Sequence, residues 1–150
     1  MTAADIAAKW ASPTEVLLVD DDADFRSMFK SLASSFGLVI DEASGVSHAR
    51  EAMTSREYRA VFLDLFLRDG TALDLLPELS LNKIPVVLIA GYLDSPLLDQ
   101  ALGYGPCAFM RKPVDFSRDR LEQLLMLLNL RYVAPSSGVV CHKPGVHLFA

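Results

Sequence analysis

VFLDLF, residues 61–66, sets one carboxylate, Asp64, among five apolar side chains. A short apolar run predicts a buried strand, and a buried strand has no use for an unpaired charge. Working outward gives the frame. Upstream, EVLLVD (15–20) is another β-branched run, stopping at the acidic stretch DDDAD (20–24). Phe25, Met28, Phe29, Leu32 and Phe36 then recur at helical spacing, and Gly37 supplies a stop. LVIDEA (38–43) reads as a strand and VSHAREAMTS (46–55) as a short helix with Val46, Ala49 and Met53 inward. Downstream of AVFLDL (60–65), FLRDG reads as a loop and TALDLLPEL as a helix that Pro77 should shorten or kink. IPVVLIA (84–90) and CAFMR (107–111) are further strands, DSPLLDQAL (94–102) and FSRDRLEQLLMLLNLRYV (116–133) further helices. Five strand–helix alternations predict an α/β chain with a doubly wound, five-stranded parallel sheet and helices on both faces.

The bounds agree with one folded domain. The chain has 150 residues, 51% hydrophobic and 22% charged, with a net charge of −5. That size supports a core without disulfides or a structural metal. The acidic balance argues against nucleic acid and for basic partners or cations. No run of about 18 apolar residues offers a bilayer span, and the polar N-terminus is no signal peptide. Cys107 and Cys141 form no metal or redox motif, so a cytoplasmic setting is expected. Residues 1–13 read as an N-terminal extension, with Ile6 and Trp10 on one side of a helical turn, and 14–133 as the domain. Residues 134–150 read as a C-terminal tail, mobile or docked through Val139, Val140 and HLF. Cys141, His142 and His147 match no metal-site spacing, and His48 reads as an exposed helix residue.

In an open parallel sheet, chemistry gathers beyond the carboxyl ends of the strands where strand order reverses. Asp20 and Asp21 end the first strand and Asp64 the third. With sheet order 2-1-3-4-5 these ends are neighbours. Two like charges about 4 Å apart repel by about 4 kcal/mol at an effective dielectric near 20, so the cluster needs a cation or shared protons. Hard oxygen ligands with open positions suit Mg²⁺, which also takes a phosphate oxygen. The fifth strand ends in Arg111-Lys112-Pro113, where an ammonium could meet a phosphoryl group and a cis Lys-Pro bond could turn it inward. The plainer alternatives are a helix cap with first-turn acids at Asp20–Asp24, a structural Asp64 and a surface Lys112. Asp22 and Asp24 read as cap and first-turn residues in either case.

VLLVDDDADFR, VFLDLFLRDG and FMRKPVD, in that order and at these separations, resemble the receiver domain of two-component response regulators, over about residues 14–132. The resemblance implies the flavodoxin-like fold with strand order 2-1-3-4-5. It further implies phosphorylation of Asp64, Mg²⁺ bound by Asp21 and Asp64 with help from Asp20, and the Phe66 backbone carbonyl as a further ligand. Lys112 would pair with the phosphoryl group, and Asp64 would attack phosphorus in line, taking the group from a phosphohistidine of a histidine kinase or histidine phosphotransfer protein. Such a chain is a phosphoprotein and a phosphoacceptor in a phosphorelay, not an enzyme beyond self-catalysed phosphorylation and dephosphorylation.

The sequence departs from the family at the end of the fourth strand. Ala90 stands where a Thr or Ser hydroxyl is usual, leaving the Gly91 N–H as the nearby donor. Phe109 holds the aromatic switch position but cannot hydrogen-bond, and Arg68 replaces a frequent Pro. The expectation is a protein that accepts phosphate yet switches weakly or by an unusual route. Phe66 and Tyr92 could also crowd out attacking water and slow phosphoaspartate hydrolysis. With few residues after 133, a stand-alone receiver is expected, signalling through a downstream protein partner. The apolar LLMLL (124–128) points to a helix buried by its own chain, or to a homodimer or partner face on the last two helices with Leu97, Leu98 and Leu102. Two competing readings remain: a receiver-like scaffold independent of phosphate, and a haloacid-dehalogenase-type phosphohydrolase built on Asp20 and Asp22. The latter leaves Asp64 and Lys112 without a role.

Overall fold

The apolar runs become strands, and the periodic stretches between them become helices. The computed structural model describes residues 14–91, 95–112 and 116–128. In chain order these form β1 (Thr14–Val19), α1 (Ala23–Ser34), β2 (Leu38–Ala43), α2 (Val46–Ser55) and β3 (Ala60–Asp64). A two-strand pair, β4 (Phe66–Leu67) and β5 (Gly70–Thr71), and a 3-10 turn (Ala72–Asp74) follow. Then come α3 (Leu76–Leu81), β6 (Val86–Ala90), α4 (Pro96–Leu102), β7 (Ala108–Arg111) and α5 (Arg118–Leu127). The main sheet runs β2-β1-β3-β6-β7 with every pairing parallel. With the small β4-β5 pair set aside, this is the expected order 2-1-3-4-5.

Side chains alternate across a strand, and both faces of this sheet are covered. Val16, Leu18, Phe62, Val87, Ile89 and Met110 pack with Phe25 and Phe29 of α1 and Leu121, Leu124 and Leu125 of α5. Leu17, Val19, Leu63, Leu88, Ala90 and Phe109 pack with Val46 of α2, Leu76 and Leu79 of α3, and Leu98 of α4. That two-sided burial explains why β3 and β6 read as continuous apolar runs.

The helix ends follow local chemistry. Asp22 caps α1, its side chain accepting from the Asp24 and Phe25 amides. Gly37, at φ +75, turns the chain toward β2. At the end of α3 the left-handed residue is Lys83, at φ +56, closed by Lys83 N–H to Ser80 O and Ile84 N–H to Leu79 O.

Several details differ from expectation. FLRDG is not a plain loop: Phe66 pairs with Thr71 and Leu67 with Gly70. Pro77 does not kink a helix, because the chain passes through a 3-10 turn first and Pro77 falls in the opening turn of α3, where no amide is needed. The last helix begins at Arg118, after Ser117 caps it, and ends at Leu127. Met28 is 36% exposed. Of the leucines considered for an interface, Leu98, Leu124 and Leu125 are buried in the chain's own core, while Leu97, Leu102 and Leu128 pack partly buried against it. His48 is exposed and its Nδ1 accepts from the Ser44 amide. Cys107 is free, its thiol pushed up to about 11, chiefly by burial. Among the described residues no helix is long and apolar enough to cross a membrane. The expectations for residues 1–13, Tyr92, Pro113 and 129–150 lie outside the described residues.

Candidate functional site

The register brings the carboxylates together. Val19 of β1 lies beside Leu63 of β3, so the next residues, Asp20 and Asp64, come out at adjoining strand ends. One carboxylate oxygen from each of Asp20, Asp21 and Asp64 lies within 4.8 Å of the others. Lys112, the first residue after β7, reaches in from the far side of β6. Its amide donates to Ala90 O at 2.9 Å, and its Nζ stands 2.6 Å from Asp20 Oδ2 and 3.3 Å from Asp64 Oδ2. The contact to Asp64 is aligned as a hydrogen bond. The closer one to Asp20 is an ion pair without that alignment.

Asp20 is fully buried, and its surroundings explain how. Its N–H donates to Ala43 O, its Oδ1 accepts from the Asp22 amide at 2.8 Å, and its carbonyl accepts from Arg26 at 2.6 Å. Arg26 is in turn held by Glu42, which Lys30 also meets. Only Oδ2 of Asp20 lacks a hydrogen bond. Asp21 is half-buried and Asp64 is 8% exposed. Burial, then the charge of Asp20, push the Asp64 carboxyl up to about 7, against the opposing pull of Lys112. Burial alone would lower the Lys112 ammonium, but the Asp20 and Asp64 carboxylates hold it above its ordinary range. One lysine among three carboxylates leaves the cluster net negative. An all-oxygen, negatively charged set of this kind fits a hard divalent cation such as Mg²⁺.

Phe66 lies two residues past Asp64 in β4 with half its surface exposed. Ala90 closes β6 at 2% exposure, and its methyl side chain offers no hydrogen-bond donor. Phe109 is 3% exposed and packs in the same layer as Ala90. Asp22 is occupied as the cap of α1.

Three participants escaped the sequence reading. Phe25, read only as a core residue, lies under the Lys112 ammonium at 4.4 Å from its ring centroid. Arg26 holds the Asp20 carbonyl. Asp69, in the segment read as a loop, caps α2 from outside, accepting from the Val46 and Ser47 amides at 2.7 and 3.0 Å. Those amides, Ser47 first, hold its carboxyl below the usual carboxylate range. The Phe25 and Asp69 contacts join residues far apart in the chain, and the Arg26 contact, six residues back, is a side chain reaching a backbone carbonyl; no local pattern announces them.

Comparison with known proteins follows the same lines. The sequence model described as response regulator receiver domain matches residues 16–125. The response regulator protein PilR of Pseudomonas aeruginosa is 32% identical over 122 residues, which are 80% of this chain and 27% of that protein. The chain therefore spans about a quarter of the length of that relative. The crystal structure of the receiver domain of NtrX from Brucella abortus superposes with a TM-score of 0.67 at 31% identity, covering 75% of this chain and 96% of that one. A CheY-like response regulator receiver domain protein from Methanospirillum hungatei shares the fold with a TM-score of 0.71 at 23% identity, over 79% of this chain and 95% of that one.

Proposed function

The chain belongs to the response regulator receiver domain family of two-component signalling, and from that membership we propose that it accepts a phosphoryl group on Asp64 and passes the signal on through protein contacts. The observation that carries this reading is the meeting of Asp20, Asp21, Asp64 and Lys112 at one end of the sheet. The donor is a phosphohistidine of a histidine kinase or histidine phosphotransfer protein. A carboxylate oxygen of Asp64 attacks phosphorus in line; the new O–P bond forms as the N–P bond breaks, and the imidazole leaves. When bound at Asp20, Asp21, Asp64 and the Phe66 carbonyl, Mg²⁺ supplies positive charge beside the transferring oxygens. Lys112, already beside Asp64, exchanges its carboxylate contact for one to the phosphoryl group.

Output is the less ordinary half. A switch needs a contact that differs between two conformations. Ala90 offers no hydroxyl for one, and the link that remains there is backbone, from Lys112 N–H to Ala90 O. Phosphorylation accordingly moves the end of β6 little, and downstream recognition reads the phosphorylated site itself or the faces around α4 and α5, including a pairing of two copies.

Mass spectrometry after acetyl phosphate treatment tests the chemistry: the wild type gains one phosphoryl group and Asp64→Asn gains none. An unmodified wild type would leave a scaffold independent of phosphate. Amide shifts with and without a beryllofluoride mimic test the output, and large changes across 84–91 and 108–111 would reject weak switching. The phosphohydrolase alternative is disfavoured by Asp22, whose side chain is committed to the helix cap. Absence of turnover on a generic phosphate ester checks that.

A further inference from the structure

Three attractions hold the Lys112 ammonium. Two come from Asp20 and Asp64, and the third is the face of Phe25. The two carboxylates are also members of the group that fits a divalent cation. A cation entering that group competes with the ammonium for Asp20 and Asp64, and repels it besides. The ring contact has no such competitor, because a hard divalent ion seeks oxygen while an ammonium is drawn to a π face.

The ring is also well fixed. Phe25 is 7% exposed and stands edge-on to Phe116, with centroids 4.9 Å apart at 90°. Phe29 lies 6.3 Å from it and packs in turn on Phe62, two residues before Asp64. The Phe25 amide donates to the Asp22 side chain. The lysine, by contrast, carries its charge on a flexible four-carbon stem that gains rotamer freedom on swinging into solvent.

We propose that Phe25 is a positioning residue, whose ring keeps the Lys112 ammonium beside Asp64 when a divalent cation occupies the carboxylates. The expected effect on phosphorylation rests on the phosphoacceptor reading above; the retention of the lysine does not. In the isotope-labelled full chain, the Lys112 Cε–Hε signals are displaced upfield by the Phe25 ring current. That displacement persists as Mg²⁺ is titrated to saturation. It disappears in Phe25→Leu and survives in Phe25→Tyr, which keeps the ring. At saturating Mg²⁺ the rate of phosphorylation by acetyl phosphate drops about fivefold in Phe25→Leu, equivalent to about 1 kcal/mol, and recovers in Phe25→Tyr. Ile40→Val, on the edge strand β2, thins the same core without touching the lysine or the Phe25 ring and leaves the rate unchanged.

Lys112 signals that move to the positions of a free lysine when Mg²⁺ binds the wild type overturn the proposal. A Phe25→Leu rate equal to wild type does so as well. The wild-type titration alone decides the case if Phe25→Leu does not fold. A wild type that keeps the ring displacement but takes no phosphoryl group defeats the phosphoacceptor reading and leaves the positioning of Lys112 standing. A wild type that is phosphorylated but loses the displacement does the reverse.

Discussion

Replacing Asp64 by Asn should stabilise the metal-free fold, and increasingly so as pH rises. Burial and then the neighbouring Asp20 raise the Asp64 pKa to about 7 in the folded chain, so the fold prefers the neutral acid. The stability this group allows is fully present below its unfolded pKa near 4 and is lost as pH climbs through about 7. Asparagine cannot ionise and escapes that loss, while Lys112 keeps Asp20 as a partner at 2.6 Å. The full shift, in which the pull of Lys112 is already included, would correspond to about 4 kcal/mol as an upper bound, and relaxation of the charged cluster reduces the expected gain to about 1–3 kcal/mol. For a chain of this length that is a rise in Tm of about 3–10 °C at pH 8 in EDTA, shrinking towards zero near pH 4. Thermal unfolding followed by circular dichroism, wild type against Asp64→Asn from pH 4 to 8, measures it. Saturating Mg²⁺ should narrow or reverse the gap, since a bound cation stabilises the cluster that the variant has weakened. A gap at pH 8 that is absent, negative or indifferent to pH refutes the electrostatic account of the site.

Lys83→Gly relieves a left-handed backbone at the end of α3 and should add about 1 kcal/mol in urea unfolding; a destabilised variant would mean that the lysine side chain contributes more than its backbone costs. Gly45→Ala places a methyl group against the Asp69 carboxylate, pulling it off the Val46 and Ser47 amides, so amide exchange at the start of α2 should quicken and Tm fall, as in Asp69→Ala. Ala90→Thr restores a hydroxyl at the end of β6 and should enlarge the beryllofluoride-induced shifts across 84–91 and 108–111, with unchanged shifts counting against the weak-switch account. Phe66→Asn uncovers the approach to Asp64 and should speed the loss of radiolabel from the phosphorylated chain severalfold; an unchanged lifetime removes Phe66 as a shield.

The frame was legible because residues 16–19 of β1, 60–63 of β3 and 86–90 of β6 are uninterrupted apolar runs and each ends at a change of chemistry: Asp20, Asp64, and Gly91 after Ala90. A strand buried on both faces leaves that signature whatever surrounds it. The meeting of Asp20, Asp21 and Asp64 was legible only through the strand order that the receiver resemblance implied, since that order makes β1 and β3 neighbours and adjoining parallel strands end together. The β4-β5 pair was missed because two residues per strand carry no periodicity. Pro77 was legible as a residue that shortens the helix expected over 71–79, which begins only at Leu76, but sequence alone did not locate the first turn in which proline is welcome. Phe25 was legible as core and not as a neighbour of Lys112, because the two are separated by most of the chain and meet only once the sheet order is fixed.

The alternation within the strands has a consequence for how insertions and deletions would act on this domain. Val16 and Leu18, Phe62, and Ala108 and Met110 all face α1 and α5, and counting on by twos reaches Asp20, Asp64 and Lys112. Val86, Leu88 and Ala90 face the opposite layer with Phe109. The carboxylate–lysine cluster and Ala90 thus belong to different parities of one sheet. Removing a single residue from the middle of β3 exchanges one apolar side chain for another at most levels, a change the core can partly absorb. It would turn Asp64 away from Asp20 and Lys112 altogether, so frame errors inside these strands should abolish the site before they abolish the fold.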